Sequence, residues 1–127
     1  MIVKALVKQM QSKIEIIACP ILREANGLAM SSRNALLSVD EREVAALIPK
    51  LMQEAKKIAF AKGISEAKQF IKQETDKVAI MKLEYFEICD TETLEELLDL
   101  NTNKKAIALI AVFVGKIRLI DNLNYLI

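Results

Sequence analysis

The sequence has no histidine and no tryptophan, and only two cysteines. Cys19 and Cys89 stand far apart, outside any Cys-x-x-Cys pairing and with no imidazole to join them, so no zinc-ligand pattern is present. Both lie in apolar, strand-like surroundings, which predicts buried free thiols in a reducing, cytoplasmic setting. Charge of one sign is also lacking: the net charge is +1 and the two signs are interspersed. Aromatic residues make up 5%, so there is neither the basic stripe nor the stacking platform that nucleic-acid binding needs. Long hydrophobic runs are absent as well. The longest, Ala106 to Val114, is far short of the about 20 residues of a membrane span. The opening Met1-Ile2-Val3-Lys4-Ala5-Leu6 has no sustained apolar region and no small-residue cleavage site, so no signal peptide is expected. Internal repeats and low-complexity linkers are missing too.

What is present is a chain of 127 residues, 53% apolar and 28% charged, the composition of one soluble globular domain with a core of its own. One stretch departs from helix and strand periodicity: Arg23-Glu24-Ala25-Asn26-Gly27-Leu28-Ala29-Met30-Ser31-Ser32-Arg33-Asn34. Gly27 permits positive φ or close backbone approach. Ser31 and Ser32 bring hydroxyls, and Arg33 a permanent forked cation suited to phosphate. Ser38 and Glu41 then have the spacing of a capping box. The pattern predicts a glycine-bearing loop between a strand and a helix, fitted to a phosphate chain. On residue types alone such a stretch is more often an ordinary polar loop with a solvated arginine.

The run from Pro20 to Asn34, followed by Leu37 and Glu41-Arg42, resembles the pantothenate synthetase (pantoate–β-alanine ligase) family. Tyr85-Phe86-Glu87-Ile88 with Asp90 and Leu94 form a second block, and Gly115 with Arg118-Leu119-Ile120-Asp121-Asn122 a third, all in the family's order. The resemblance implies ATP-dependent joining of pantoate to β-alanine through a pantoyl adenylate, with release of pyrophosphate and AMP. It implies a Rossmann-like nucleotidyltransferase half ending near residue 20, with residues 21–127 forming a C-terminal lid domain. Met30-Ser31-Ser32-Arg33 is similar to the KMSKS loop of class I aminoacyl-tRNA synthetases, Arg33 standing in for the lysine charge one place on. By position, Met30, Ser31, Ser32 and Arg33 would contact ATP, chiefly its phosphates, with Ser31, Ser32 and Arg33 stabilising the transition state. Leu22 would meet the nucleotide base through its backbone. ATP would bring magnesium, for which no ligand is identifiable, and no resident metal is expected.

The family's first half carries a HxGH-type motif, a pantoate pocket and a lysine on the phosphates, none of which has a place in this histidine-free chain. A chain holding only the loop would stabilise charge without a substrate pocket, so alone it is expected to be inactive. Pantoate and β-alanine would be partners of the full-length enzyme only. The alternative is a stand-alone interaction or oligomerisation module without nucleotide binding, docking through the apolar strand near Ile14–Ala18.

Along the chain, Ile2, Leu6 and Met10 recur at helical spacing, and Ile14, Ile16, Ile17 and Ala18 predict a short strand stopped by Pro20. With its neighbours missing, Ile2, Leu6, Ile14 and Ile16 would form a sticky face through which the chain self-associates. Residues 38–62 predict the main helix, ended by Gly63 and interrupted at Pro49 either by a kink, the preferred reading because the apolar stripe continues through it, or by a division into two helices. Ser65 is expected to cap the next helix. Met81–Cys89 predicts a strand with Met81, Leu83 and Tyr85 on one face. Thr93–Glu96 has capping-box spacing for a short helix carrying Leu94, Leu97 and Leu98, with Glu92, Glu95, Glu96 and Asp99 on its solvated face. Asn101–Asn103 reads as a loop. Lys105–Val114 and Ile117–Asn122 predict a hairpin turned at Gly115-Lys116. Arg118 and Asp121 fall on its opposite faces, each needing a partner of its own. The resulting class is α+β: a small three-stranded antiparallel sheet with helices on one side, preceded by a helix-strand remnant.

Overall fold

The computed structural model describes residues 2–100 and 105–125. Strands β1 (Met81–Asp90), β2 (Ala106–Val114) and β3 (Ile117–Tyr125) form a three-stranded antiparallel sheet in the order β1-β2-β3. Helices α1 (Ile2–Gln9), α2 (Val39–Ala45), α3 (Leu47–Lys62) and α4 (Ile64–Asp76) complete the chain with a 3-10 turn at Ser32–Leu36. The α+β arrangement is the one expected.

The central strand explains the core. Alternate residues Ala106, Ala108, Ile110, Val112 and Val114 face α3 and α4, while Ile107 and Ala111 are buried on the other side. On α3, Ile48, Met52, Ala55 and Ala59 recur at three- and four-residue steps, and on α4 so do Ile64, Ala67, Ile71 and Thr75. Buried Thr75 is satisfied locally, its hydroxyl donating to the Ile71 carbonyl at 2.9 Å.

Several elements differ from the sequence expectation, each for a local reason. The stretch over 38–62 is two helices, the alternative to the preferred kink, but they do not divide at Pro49. The break falls at Ala46, and Pro49 is the third residue of α3. First-turn N–H groups have no intrahelical acceptor, so a proline there loses no bond. Gly63, at φ 114 and ψ 168, both ends α3 and starts α4, a conformation essentially confined to glycine. Ser65 is therefore inside the first turn and caps nothing.

In β1 a bulge lies between Leu83 and Tyr85. The extra residue, Glu84, resets the alternation. Phe86 and Ile88 join Met81 and Leu83 against the core, while Tyr85 turns outward and is exposed. Residues 91–100 form no helix. Asp90 Oδ1 accepts the N–H groups of Glu92 and Thr93 at 2.8 and 3.0 Å, offering the backbone an alternative to helical bonds. Leu94 adopts φ 61, and the chain doubles back so that Leu97 N–H reaches the Ile88 carbonyl at 2.8 Å. The Asn101–Asn103 loop lies outside the described residues.

Helix α1 forms as expected, but residues 14–18 are not a strand. They have no ladder partner among the described residues, and an unpaired segment leaves its backbone to water. Ile2, Leu6, Ile14 and Ile17 are exposed, Ile16 half-buried. Cys19, expected to be buried, is exposed for the same reason; Cys89 is buried, which pushes its thiol pKa up.

The hairpin tip touches α2. Gly115 has φ 56, and a Cβ there would lie 2.2 Å from Glu41 Oε1. That carboxylate is occupied: Glu41 Oε2 accepts Ser38 N–H at 2.9 Å, and Glu41 N–H donates to Ser38 Oγ at 3.2 Å. Gly115→Ala should thus cost backbone strain plus part of a cap, about 1–3 kcal/mol together. Urea unfolding followed by circular dichroism measures it, and a change under about 0.5 kcal/mol, the scatter of neutral surface changes, would contradict the contact.

Candidate functional site

Residues 22–30 form a tight hairpin-like loop. Arg23 and Ala29 pair as an antiparallel bridge, Met30 N–H donates to the Leu22 carbonyl at 2.9 Å, and Glu24 N–H to the Leu28 carbonyl at 2.8 Å. Gly27 turns the loop at φ 89, and Asn26 Oδ1 accepts Leu28 N–H at 3.1 Å. Leu28 plugs into the core beside Leu37 and Ile48. Because residues 14–18 are not a strand, the loop runs from a segment without regular structure, rather than from a strand, into the 3-10 turn.

Ser31 starts that turn, its Oγ accepting Arg33 N–H at 3.2 Å. The Leu22–Met30 backbone bond brings the expected base-contact and phosphate-contact positions together. Both side chains are open to solvent, Leu22 at 75% and Met30 at 59%. Ser31, Ser32 and Arg33 are exposed too. Among the described residues, the Arg33 guanidinium has no salt bridge and no side-chain hydrogen bond. With Ser31 and Asn34 it lines a cavity of about 20 Å³ that reaches Arg118 and Asp121 of β3.

Two polar clusters hold this segment in place. Arg23 makes a bidentate pair with Asp121, Nη1 to Oδ2 at 2.7 Å and Nη2 to Oδ1 at 3.0 Å, and also donates to the Gly27 carbonyl at 3.0 Å. Asp121 takes a further hydrogen bond from Asn122 N–H at 2.7 Å. In the second cluster, Asn34 Nδ2 donates to Glu24 Oε1 at 2.8 Å and to the Ala29 carbonyl at 3.0 Å. Arg42 Nη1 donates to both Glu24 oxygens at 3.0 and 2.8 Å, and its Nη2 to the Asn34 carbonyl at 2.7 Å. The bonds from Asn34, then those from Arg42, hold the Glu24 pKa below the usual carboxylate range. Protonation would break this cluster only as the pH falls below that range, so it is intact throughout neutral conditions.

Arg118 and Asp121 have separate partners, as their opposite faces require: Arg118 Nε donates to Glu84 at 2.6 Å on the exposed side. Of the acidic residues after β1, Glu96 joins Glu87 in binding Lys68 Nζ. Burial disfavours the Lys68 charge, but these two carboxylates outweigh it and raise its pKa. Among the described residues no group of three or more ligand-type side chains could hold a metal.

Sequence reasoning singled out the exposed arc and missed what supports it. Glu24 and Arg42 are 18 residues apart, and Arg23 and Asp121 are 98 apart, beyond the reach of any local motif. The one available signal was a pair of adjacent opposite charges, Arg23-Glu24, inside a loop that also needs a buried apolar residue, Leu28.

The family model described as Pantoate-beta-alanine ligase matches residues 1–124. The chain belongs to the pantoate-beta-alanine ligase family. Pantothenate synthetase of Bacteroides fragilis is 42% identical over 124 residues, covering 98% of this chain and 44% of its own length. That of Flavobacterium psychrophilum is 46% identical over 123 residues, covering 97% and 44%. The chain thus spans under half the length of the curated ligases it matches. Among solved structures, pantothenate synthetase from Thermus thermophilus superposes with a TM-score of 0.82 at 30% identity, over 95% of this chain and 44% of that one. The pantoate-beta-alanine ligase of Francisella tularensis, complexed with beta-gamma ATP and beta-alanine, gives a TM-score of 0.58 at 28% identity, over 96% and 38%.

Proposed function

We propose that the chain is the C-terminal, ATP-lid portion of a pantothenate synthetase, with residues 1–20 closing the nucleotidyltransferase half and residues 21–127 forming the lid. One observation carries this: Arg33 is exposed and, among the described residues, uncommitted beside the hydroxyls of Ser31 and Ser32, while its neighbours Arg23 and Arg42 are tied to carboxylates. An unpaired guanidinium with adjacent hydroxyl donors is the chemistry that a polyphosphate requires. In this reading Arg33, Ser31 and Ser32 neutralise and position the ATP phosphates as pyrophosphate leaves. Met30 and the Leu22 backbone flank the nucleotide. Magnesium accompanies ATP, held by the phosphates and by groups outside this chain.

Pantoate activation and capture by β-alanine need the histidines and pocket that the sequence lacks, so the reading makes this chain inactive alone and cytoplasmic like its assembled enzyme. It also makes exposed Ile2, Leu6, Ile14 and Ile17 the face through which isolated chains self-associate.

Titration of the ¹⁵N-labelled chain with ATP and magnesium tests the proposal. The amides of Gly27 and Met30 to Arg33 should shift first, with no pantothenate formed when pantoate and β-alanine are added. Saturable shifts confined to other surfaces, or turnover by the purified chain, would overturn it.

A further inference from the structure

We infer that Asn34, which makes no contact with ATP in the proposed site, is a positioning residue that sets the Ser31–Arg33 arc in its anion-binding shape. The inference rests on the phosphate role proposed for that arc.

Asn34 is the one buried residue of the 3-10 turn, 3% exposed, directly behind three exposed ones. Its amide ties both limbs of the hairpin, Glu24 on one side and Ala29 on the other. Its carbonyl ties α2 through Arg42, and its N–H closes on the Ser31 carbonyl at 3.0 Å. Met30, bonded to Leu22, pins the other end of the arc. Ser31, Ser32 and Arg33 therefore span a short gap between two fixed points, although among the described residues none of their side chains has a hydrogen-bond or ion-pair partner outside the arc. An anion site gains affinity when its donors need no rearrangement to meet the charge. The donor half of the Asn34 amide does this holding, since its Oδ1 has no partner among the described residues.

The experiment compares magnesium-ATP affinity and amide hydrogen exchange in the native chain with four variants. Asn34→Ala removes the donor without adding charge. It should weaken binding about tenfold, the effect of one charge-assisted hydrogen bond. It should also speed exchange at Ser31 to Asn34 while leaving β2 amides unchanged. Asn34→Asp keeps the shape but sets a carboxylate against Glu24, and should weaken binding at least as much. Combining Asn34→Asp with Glu24→Gln restores a donor and acceptor in reversed order, and should regain part of the loss. Arg33→Ala reports on the phosphate role itself. Binding abolished by Arg33→Ala but untouched by either Asn34 substitution would overturn the positioning role and leave the phosphate reading standing. ATP binding indifferent to Arg33→Ala would overturn both. Exchange accelerated equally in β2, or no recovery in the double variant, would reduce Asn34 to general packing and overturn the inference.

Discussion

Arg33→Ala, made in an enzyme that contains both halves, should lower turnover about 10²–10³-fold, the loss typical for removing one preorganised charge-stabilising group. Apparent affinity for pantoate should change little. The reason lies in where the side chain stands: exposed and, among the described residues, without an ion pair or a side-chain hydrogen bond. Its removal leaves no buried charge behind and opens no cavity, so the loss should appear in catalysis and not in stability. Charge on the phosphates builds as pyrophosphate departs, so a cation aimed at it acts most strongly in the transition state. Ser32→Ala should give the same pattern more weakly, since a hydroxyl brings one neutral donor. Steady-state kinetics with pantoate varied at saturating ATP separates the two parameters. Equal loss in turnover and pantoate affinity would argue against the role.

Arg23→Ala should have the opposite signature, with unfolding made easier by about 2–3 kcal/mol. The Asp121 side chain is 3% exposed and Arg23 30%, so the substitution strands a carboxylate against the core face of the sheet. The partial exposure of Arg23 places the expected cost below that of a fully enclosed pair. Replacing both, Arg23→Met with Asp121→Leu, should recover much of the loss, because the penalty is an unpartnered charge and not an absent attraction. Urea denaturation gives both values. A single variant as stable as the native chain would mean that water already solvates Asp121.

The sheet was legible because β2 is apolar on both faces and its hairpin is marked by Gly115, signals carried within a few residues. The exposed arc was legible because serine, glycine and arginine crowd together there without periodicity. Elsewhere, side chains acting over two or three positions defeated the pattern. Asp90 captures two amides and cancels the helix that the spacing of Thr93 to Glu96 announces. Glu84 inserts into β1 and reverses which face Tyr85 takes. Pro49 reads as a kink until the break at Ala46 moves it into a first turn. Residues 14–18 have strand composition, but pairing depends on a neighbour that composition cannot supply.

The Arg23–Asp121 bond joins residues 98 positions apart. Closing so long a span is entropically slow, and it cannot begin before the last strand has been synthesised. During translation, Arg23 would leave the ribosome 98 residues ahead of Asp121, with α2 to α4 able to gather locally in the meantime. The loop that carries Arg33 is therefore tied to α2 first and to the sheet only once β3 has been made.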